Sequence, residues 1–192
     1  TVAAEQSNDL DVAFGAQSRA LQEAPERDDV RITLEDFATR AEKQGALAEA
    51  YEAIAKATSD GQLARDYWMH LAELRRTLGD VDAAAGAYEH ALEVDPSDEE
   101  ALDGIESLFK ESDKHDALVG VLRRRIDQAG NDESREALYV QMAKVYSEQM
   151  NQAEDAISAY CEVLVFNEAS EVALTALDNL YTAQGLFEQL GD

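Results

Sequence analysis

Apolar positions along this chain recur at the spacing of one helical face and restart at a set of turns. The turns are read at Asn8-Asp9, Gly45-Ala46, Gly79-Asp80, Asp113-Lys114, Asn151-Gln152 and Gly185-Leu186, separated by 37, 34, 34, 38 and 34 residues. Eleven residues before successive turns stand Leu34, Trp68, Leu102, Val140 and Leu174, and eight before stand Phe37, Leu71, Ile105, Ala143 and Leu177. Positions three apart share a face of a helix, so each pair predicts an apolar stripe. Five residues after the turns come Ala13, Ala50, Ala84, Leu118, Ala156 and Leu190, mostly small, and nine after come Gln17, Ile54, Tyr88, Leu122 and Tyr160. Small side chains let two helix axes approach closely, and the large ones fill the next gap. A lone pair of amphipathic helices cannot bury its apolar face, so a period of this length predicts helical hairpins stacked on one another.

The boundaries carry their own signals. Ser59 with Gln62 and Ser97 with Glu100 have the spacing at which each side chain caps the other's backbone donor, which predicts two helix starts. Glycine at the turns permits the left-handed backbone that ends a helix, and Asn8, Asp113 and Asn151 are tolerated substitutes. Pro25 and Pro96 fall seventeen residues after Asn8 and Gly79, where a second helix should stop.

Trp68, Leu71, Ala72, Ala84, Tyr88, Ala91 and Pro96 together resemble a tetratricopeptide repeat. Arg75 departs from that pattern, in a slot normally given to a large aromatic, with Leu74 or Leu78 to compensate. The resemblance is closest over residues 65–98, extends over 31–64 and 136–170, and is most divergent over 99–135, where Leu118 and Arg125 replace alanines. Residues 1–30 are read as the second helix of a preceding incomplete repeat and 171–192 as another incomplete one, all in a single continuous solenoid. Beginning with Thr and ending just past Gly185, the chain is expected to be a piece of a longer array of bacterial type. The resemblance implies an all-α fold, a right-handed superhelical solenoid of about ten helices in antiparallel hairpins. It also implies that the first helix of each hairpin lines a concave wall.

Composition narrows the partners. The 45% apolar content excludes simple disorder, and two prolines among frequent Ala, Leu and Glu favour helices. With 41 acidic and 16 basic residues the net charge is −25, which repels nucleic-acid backbones and anionic membranes and favours basic proteins or peptides. Solubility or a salty milieu would explain the same excess. A single cysteine, Cys161, excludes an intrachain disulfide, and the densest apolar stretch, from Val163 to Phe166, is too short to cross a bilayer. A soluble protein is expected, with the cytoplasm favoured over the periplasm.

Little points to chemistry. His70, His90 and His115 have no second histidine at metal-ligand spacing and read as structural or surface residues. The acidic run from Asp95 to Glu100 lacks calcium-loop spacing and reads as acids favoured at a helix start. Arg123, Arg124 and Arg125 could dock an acidic or phosphorylated segment, but a solvated helix face is the simpler reading. Cys161 has no activating base nearby in sequence, and Trp68 reads as core. No catalytic residue, metal site or cofactor is expected.

On the resemblance, the concave wall takes Glu35, Thr39 and Glu42 from one helix, and Asp66, Met69, Glu73 and Arg76 from the next. Asp103, Ser107 and Lys110 follow, then Val140 and Lys144, then Thr175 and Asn179. Family members that grip a chaperone's C-terminal carboxylate use Lys and Asn at such places, where this chain has Glu35, Asp66 and Asp103. A basic segment is favoured there instead, with Met69 as an adaptable apolar contact. The expected function is therefore a non-enzymatic scaffold binding a basic peptide or helix in its groove. The alternative is a structural or regulatory spacer of a larger protein, self-associating through its terminal helices.

Overall fold

A computed structural model describes the backbone of residues 2–185 and the side chains from Asp9 through Gly185. Leu186 and Leu190, assigned above to the last turn and the slot after it, lie outside the described residues. Ten α-helices follow one another in sequential hairpins: α1 (Val2–Glu23), α2 (Asp28–Arg40), α3 (Gln44–Ala57), α4 (Gly61–Thr77), α5 (Val81–Val94), α6 (Glu99–Glu111), α7 (His115–Gln128), α8 (Asp132–Lys144), α9 (Ala153–Phe166) and α10 (Glu171–Gln184). They fall into two compact units, residues 1–108 and 109–192.

The turns are the organising feature, and two of the six differ from the sequence reading. Left-handed residues sit at Glu42 (φ 54°), Gly79 (76°), Asp113 (55°), Asn151 (53°) and Gly185 (71°). Behind each of the first three, an amide reaches back past the turn to close the helix: Lys43 to the Ala38 carbonyl (2.7 Å), Asp80 to Arg75 (3.0 Å) and Lys114 to Phe109 (3.0 Å). The turn expected at Gly45 therefore lies at Glu42, and Gly45 is already inside α3. No turn forms at Asn8-Asp9, where α1 runs on for 22 residues. Asn and Asp can remain helical when nothing else interrupts the ladder.

Moving the first origin to Glu42 brings its hairpin into line with the rest. Leu34, Leu71, Ile105, Ala143 and Leu177 become equivalent, as do Leu47, Ala84, Leu118 and Ala156, and so do Tyr51, Tyr88, Leu122 and Tyr160; all thirteen are buried. Leu174, assigned above to the apolar seam, is instead 48% exposed on α10, whose main packing partner among the described helices is α9.

Helix starts also shift by one residue. Asp60, not Ser59, accepts from the Leu63 amide (3.1 Å), and Asp98, not Ser97, accepts from Ala101 (3.1 Å). A carboxylate is the stronger acceptor and suits the positive end of the helix dipole. Ser97 instead donates its amide and hydroxyl to Asp95 just before the helix.

The unequal spacings come from the first helices of the hairpins. α4 has 17 residues where α2 and α6 have 13. α8 is prolonged by a π-helical segment, Val145–Gln149, whose Val145 carbonyl accepts from Met150 five residues on. Long and short first helices thus alternate.

In the first unit α1 packs on α2 and α3, and α2 to α5 pack in sequence. Each hairpin's aromatic meets the following first helix: the Tyr51 ring lies 5.9 Å from His70, and Tyr88 lies where a Cβ on Gly104 would be. In the second unit a separate core runs from Leu118 to Leu177 and includes Tyr146, Ala156, Tyr160 and Val163.

Candidate functional site

The first helices of unit 1 converge on a half-open cavity of about 580 Å³. Its floor is apolar: Leu63, Met69 and the Tyr67 ring, with Pro25 at the edge. The Tyr67 hydroxyl donates to the Pro25 carbonyl (2.7 Å), which fixes the ring, and burial pushes its phenol up to about 12. The α1–α2 loop and α2, α4 and α6 supply five carboxylates, Glu26, Asp28, Asp66, Glu73 and Glu100, against two guanidiniums, Arg31 and Arg65.

Both resident arginines are held by more than one acid. Arg31 pairs with Glu35 (2.7 Å) and Asp28 (3.2 Å). Arg65 spans to Asp98 (2.5 Å), Glu100 (2.6 Å) and Asp66 (3.1 Å), tying α4 to the start of α6. Hydrogen bonding to that guanidinium holds the Asp98 carboxyl below the usual carboxylate value. Glu35 also accepts from the Tyr51 hydroxyl (2.5 Å), and Glu73 from that of Tyr88. Burial is the main reason that both phenols are pushed well above the ordinary tyrosine value.

The candidate residues do not share one surface. In unit 1, Asp66, Met69 and Glu73 line the cavity, and Arg76 joins its edge to α6 through Glu73 (3.6 Å) and Ser107 (3.4 Å). Met69 is buried and forms floor, not an exposed contact. Thr39 is exposed, with its hydroxyl turned back to the Glu35 carbonyl (2.9 Å), and Glu42 occupies the turn beyond α2 instead of the wall. Asp103 and Lys110 are exposed on α6.

In unit 2, Lys144, Thr175 and Asn179 meet at a shallow hollow of about 450 Å³ with Tyr160 and Val172. Val140 is half-buried and packs on the core. Arg123 donates to the Tyr146 hydroxyl (2.7 Å).

Sequence reasoning passed over His70, which lines the unit 1 cavity beside Tyr51 and Tyr67. Its position was legible, since Asp66, His70 and Glu73 fall on one helical face. His90 stacks on the buried Trp68 at 4.4 Å. Among the described residues no cluster of three metal-ligating side chains occurs, and no helix is long and apolar enough to cross a membrane.

The model of the tetratricopeptide repeat family matches residues 26–154. The C-terminal part of a TPR repeat-containing protein from Cytophaga hutchinsonii aligns at 12% identity with a TM-score of 0.52, over 97% of this chain and 70% of that one, a likeness of fold. MamA aligns at 19% identity and TM-score 0.47 over 81% and 86% of the two chains. YrrB, described as a TPR protein with an unusual peptide-binding site, aligns at 15% and 0.46 over 90% and 85%. No curated protein matches the chain in sequence.

Proposed function

From the chain's membership of the tetratricopeptide repeat family, whose members mediate protein–protein interactions, we propose that it is a non-enzymatic scaffold and that unit 1 binds a basic peptide or helix across α2, α4 and α6. The observation that carries the reading is the unit 1 cavity, where five carboxylates surround an apolar floor. A lysine or arginine side chain matches both parts, its stem covering Leu63 and Met69 while its head meets the acids. Clustered like charge also raises the association rate of an oppositely charged segment, an effect that salt removes.

Fluorescence anisotropy with labelled peptides tests this. A peptide of alternating Arg and Gly should bind, and the matching Glu and Gly peptide should not. Affinity should fall roughly tenfold or more between about 0.05 and 0.5 M salt. Asp66→Asn combined with Glu26→Gln should weaken binding several-fold at low salt. Equal binding of both peptides, or indifference to salt, would refute the electrostatic part.

A second reading rests on unit 2, where Val165, Val172 and Leu174 are exposed. It is self-association of this end with a second copy, in keeping with a spacer in a larger protein. Light scattering against concentration tests it: a constant monomer mass rules it out.

A further inference from the structure

Resting on the reading of unit 1 as a site for a basic segment, we propose that His70 is the neutral acceptor in the cavity that meets the partner's cationic side chain, so that protonation of its ring releases the partner. The imidazole lines the cavity beside its apolar floor. It packs beside the edge-to-face pair of Tyr51 and Tyr67, whose centroids are 5.5 Å apart and lie 5.9 Å and 6.1 Å from its own, which restricts its rotation. Among the described residues its nitrogens make no hydrogen bond, so a ligand N–H does not have to displace a resident partner.

The charges around it are mixed and come from every side. α2 contributes Asp28, Arg31 and Glu35; α3 contributes Tyr51; α4 contributes Arg65, Asp66, Tyr67 and Glu73; the α1–α2 loop contributes Glu26 and α6 contributes Glu100. Burial chiefly, and then Arg31, push His70 below the ordinary imidazole value, although Glu35, Asp66 and Asp28 oppose them. Above that lowered value the ring is neutral and can accept a hydrogen bond from an ammonium or guanidinium. Below it, the ring loses its acceptor and adds a positive charge at the place the ligand's cation must occupy. Both changes disfavour binding. A site in which carboxylates alone decide weakens in acid as well, but only as the pH approaches the carboxylate range near about 4, so the pH at which affinity is lost distinguishes the two.

The test measures the affinity of the Arg-Gly peptide for the whole chain at about pH 7.5 and pH 5.5, in the wild type and in His70→Gln. Because the free ring titrates below the ordinary imidazole value of about 6.5, the wild type should weaken on acidification by less than about tenfold, and His70→Gln should be nearly flat over the same range. A second readout needs no substitution: the His70 ring titration followed by NMR should move to lower pH when the peptide is added, since a bound cation opposes the proton. Should wild type and His70→Gln weaken equally, or the ring titrate identically with and without peptide, the switch is wrong while the basic site stands. Failure of the peptide to bind at pH 7.5, or binding that Asp66→Asn with Glu26→Gln leaves unchanged, removes the site and the switch together.

Discussion

Replacing Gly104 with alanine adds one methyl group where α6 meets the ring of Tyr88. That carbon would lie 2.4 Å from Cε1, 2.7 Å from Cζ and 2.9 Å from the phenol oxygen. Ordinary carbon contacts sit near 3.5–4.0 Å, so the ring would have to move by about an ångström. It has little room to do so: Tyr88 is completely buried, and its hydroxyl is tied to Glu73. Overpacking of this kind costs about 1–3 kcal/mol, while alanine gains about 0.5–1 kcal/mol over glycine inside a helix. The net expectation is a loss of up to about 2.5 kcal/mol, read as a drop of up to roughly 10 °C in thermal melting followed by circular dichroism. Gly86, in the middle of α5, is the internal control, since a Cβ there meets nothing within 4 Å. Gly86→Ala should raise the melting temperature by a few degrees. If Gly104→Ala also raised it, Tyr88 would not be a fixed contact between successive hairpins, and the account of how they stack in unit 1 would fail.

The turn assignment has its own test: Gly45→Ala should be neutral or stabilising by up to about 1 kcal/mol, and Glu42→Gly stabilising by about 0.5–1 kcal/mol in urea titrations. A large loss in Gly45→Ala would return the turn to Gly45. Ala84, wholly buried at a close approach of α5, should tolerate leucine poorly, with a loss of about 1–3 kcal/mol by thermal melting; an unchanged melt would mean it faces water. Asp98→Asn keeps the helix cap but removes a charge from Arg65, and should cost about 1–3 kcal/mol near neutral pH. Because the folded Asp98 carboxyl is held below its unfolded value of about 3.9, its contribution is complete above that pH and is lost as pH falls through the folded value. The gap between wild type and Asp98→Asn should therefore close only in acid below about pH 4, and a gap that closes near pH 6 would contradict the pairing.

The family and the hairpin architecture were legible because apolar periodicity is a local property. Trp68, Leu71, Ala84 and Tyr88 announce one hairpin, and their spacing extends to its neighbours. The turn read at Gly45 was misplaced because glycine is the usual left-handed residue and Gly45 lies near enough to attract the assignment, whereas Glu42 adopts that backbone with the Lys43 to Ala38 hydrogen bond closing the helix behind it. The candidate wall was legible only by helix. That Asp66, Met69 and Glu73 would share a cavity with Pro25 and Glu100 depends on contacts between residues tens of positions apart.

Sequence alone determined the helices, their approximate phase and the acidic net charge, since each follows from residue type and near-neighbour spacing. Tertiary structure decided which acids are already bound to arginines, which methionine is floor, where His70 points and why position 104 holds a glycine. Those outcomes depend on the distance between side chains carried by different hairpins, and that distance is set by how buried rings such as Tyr51 and Tyr88 space one helix from the next.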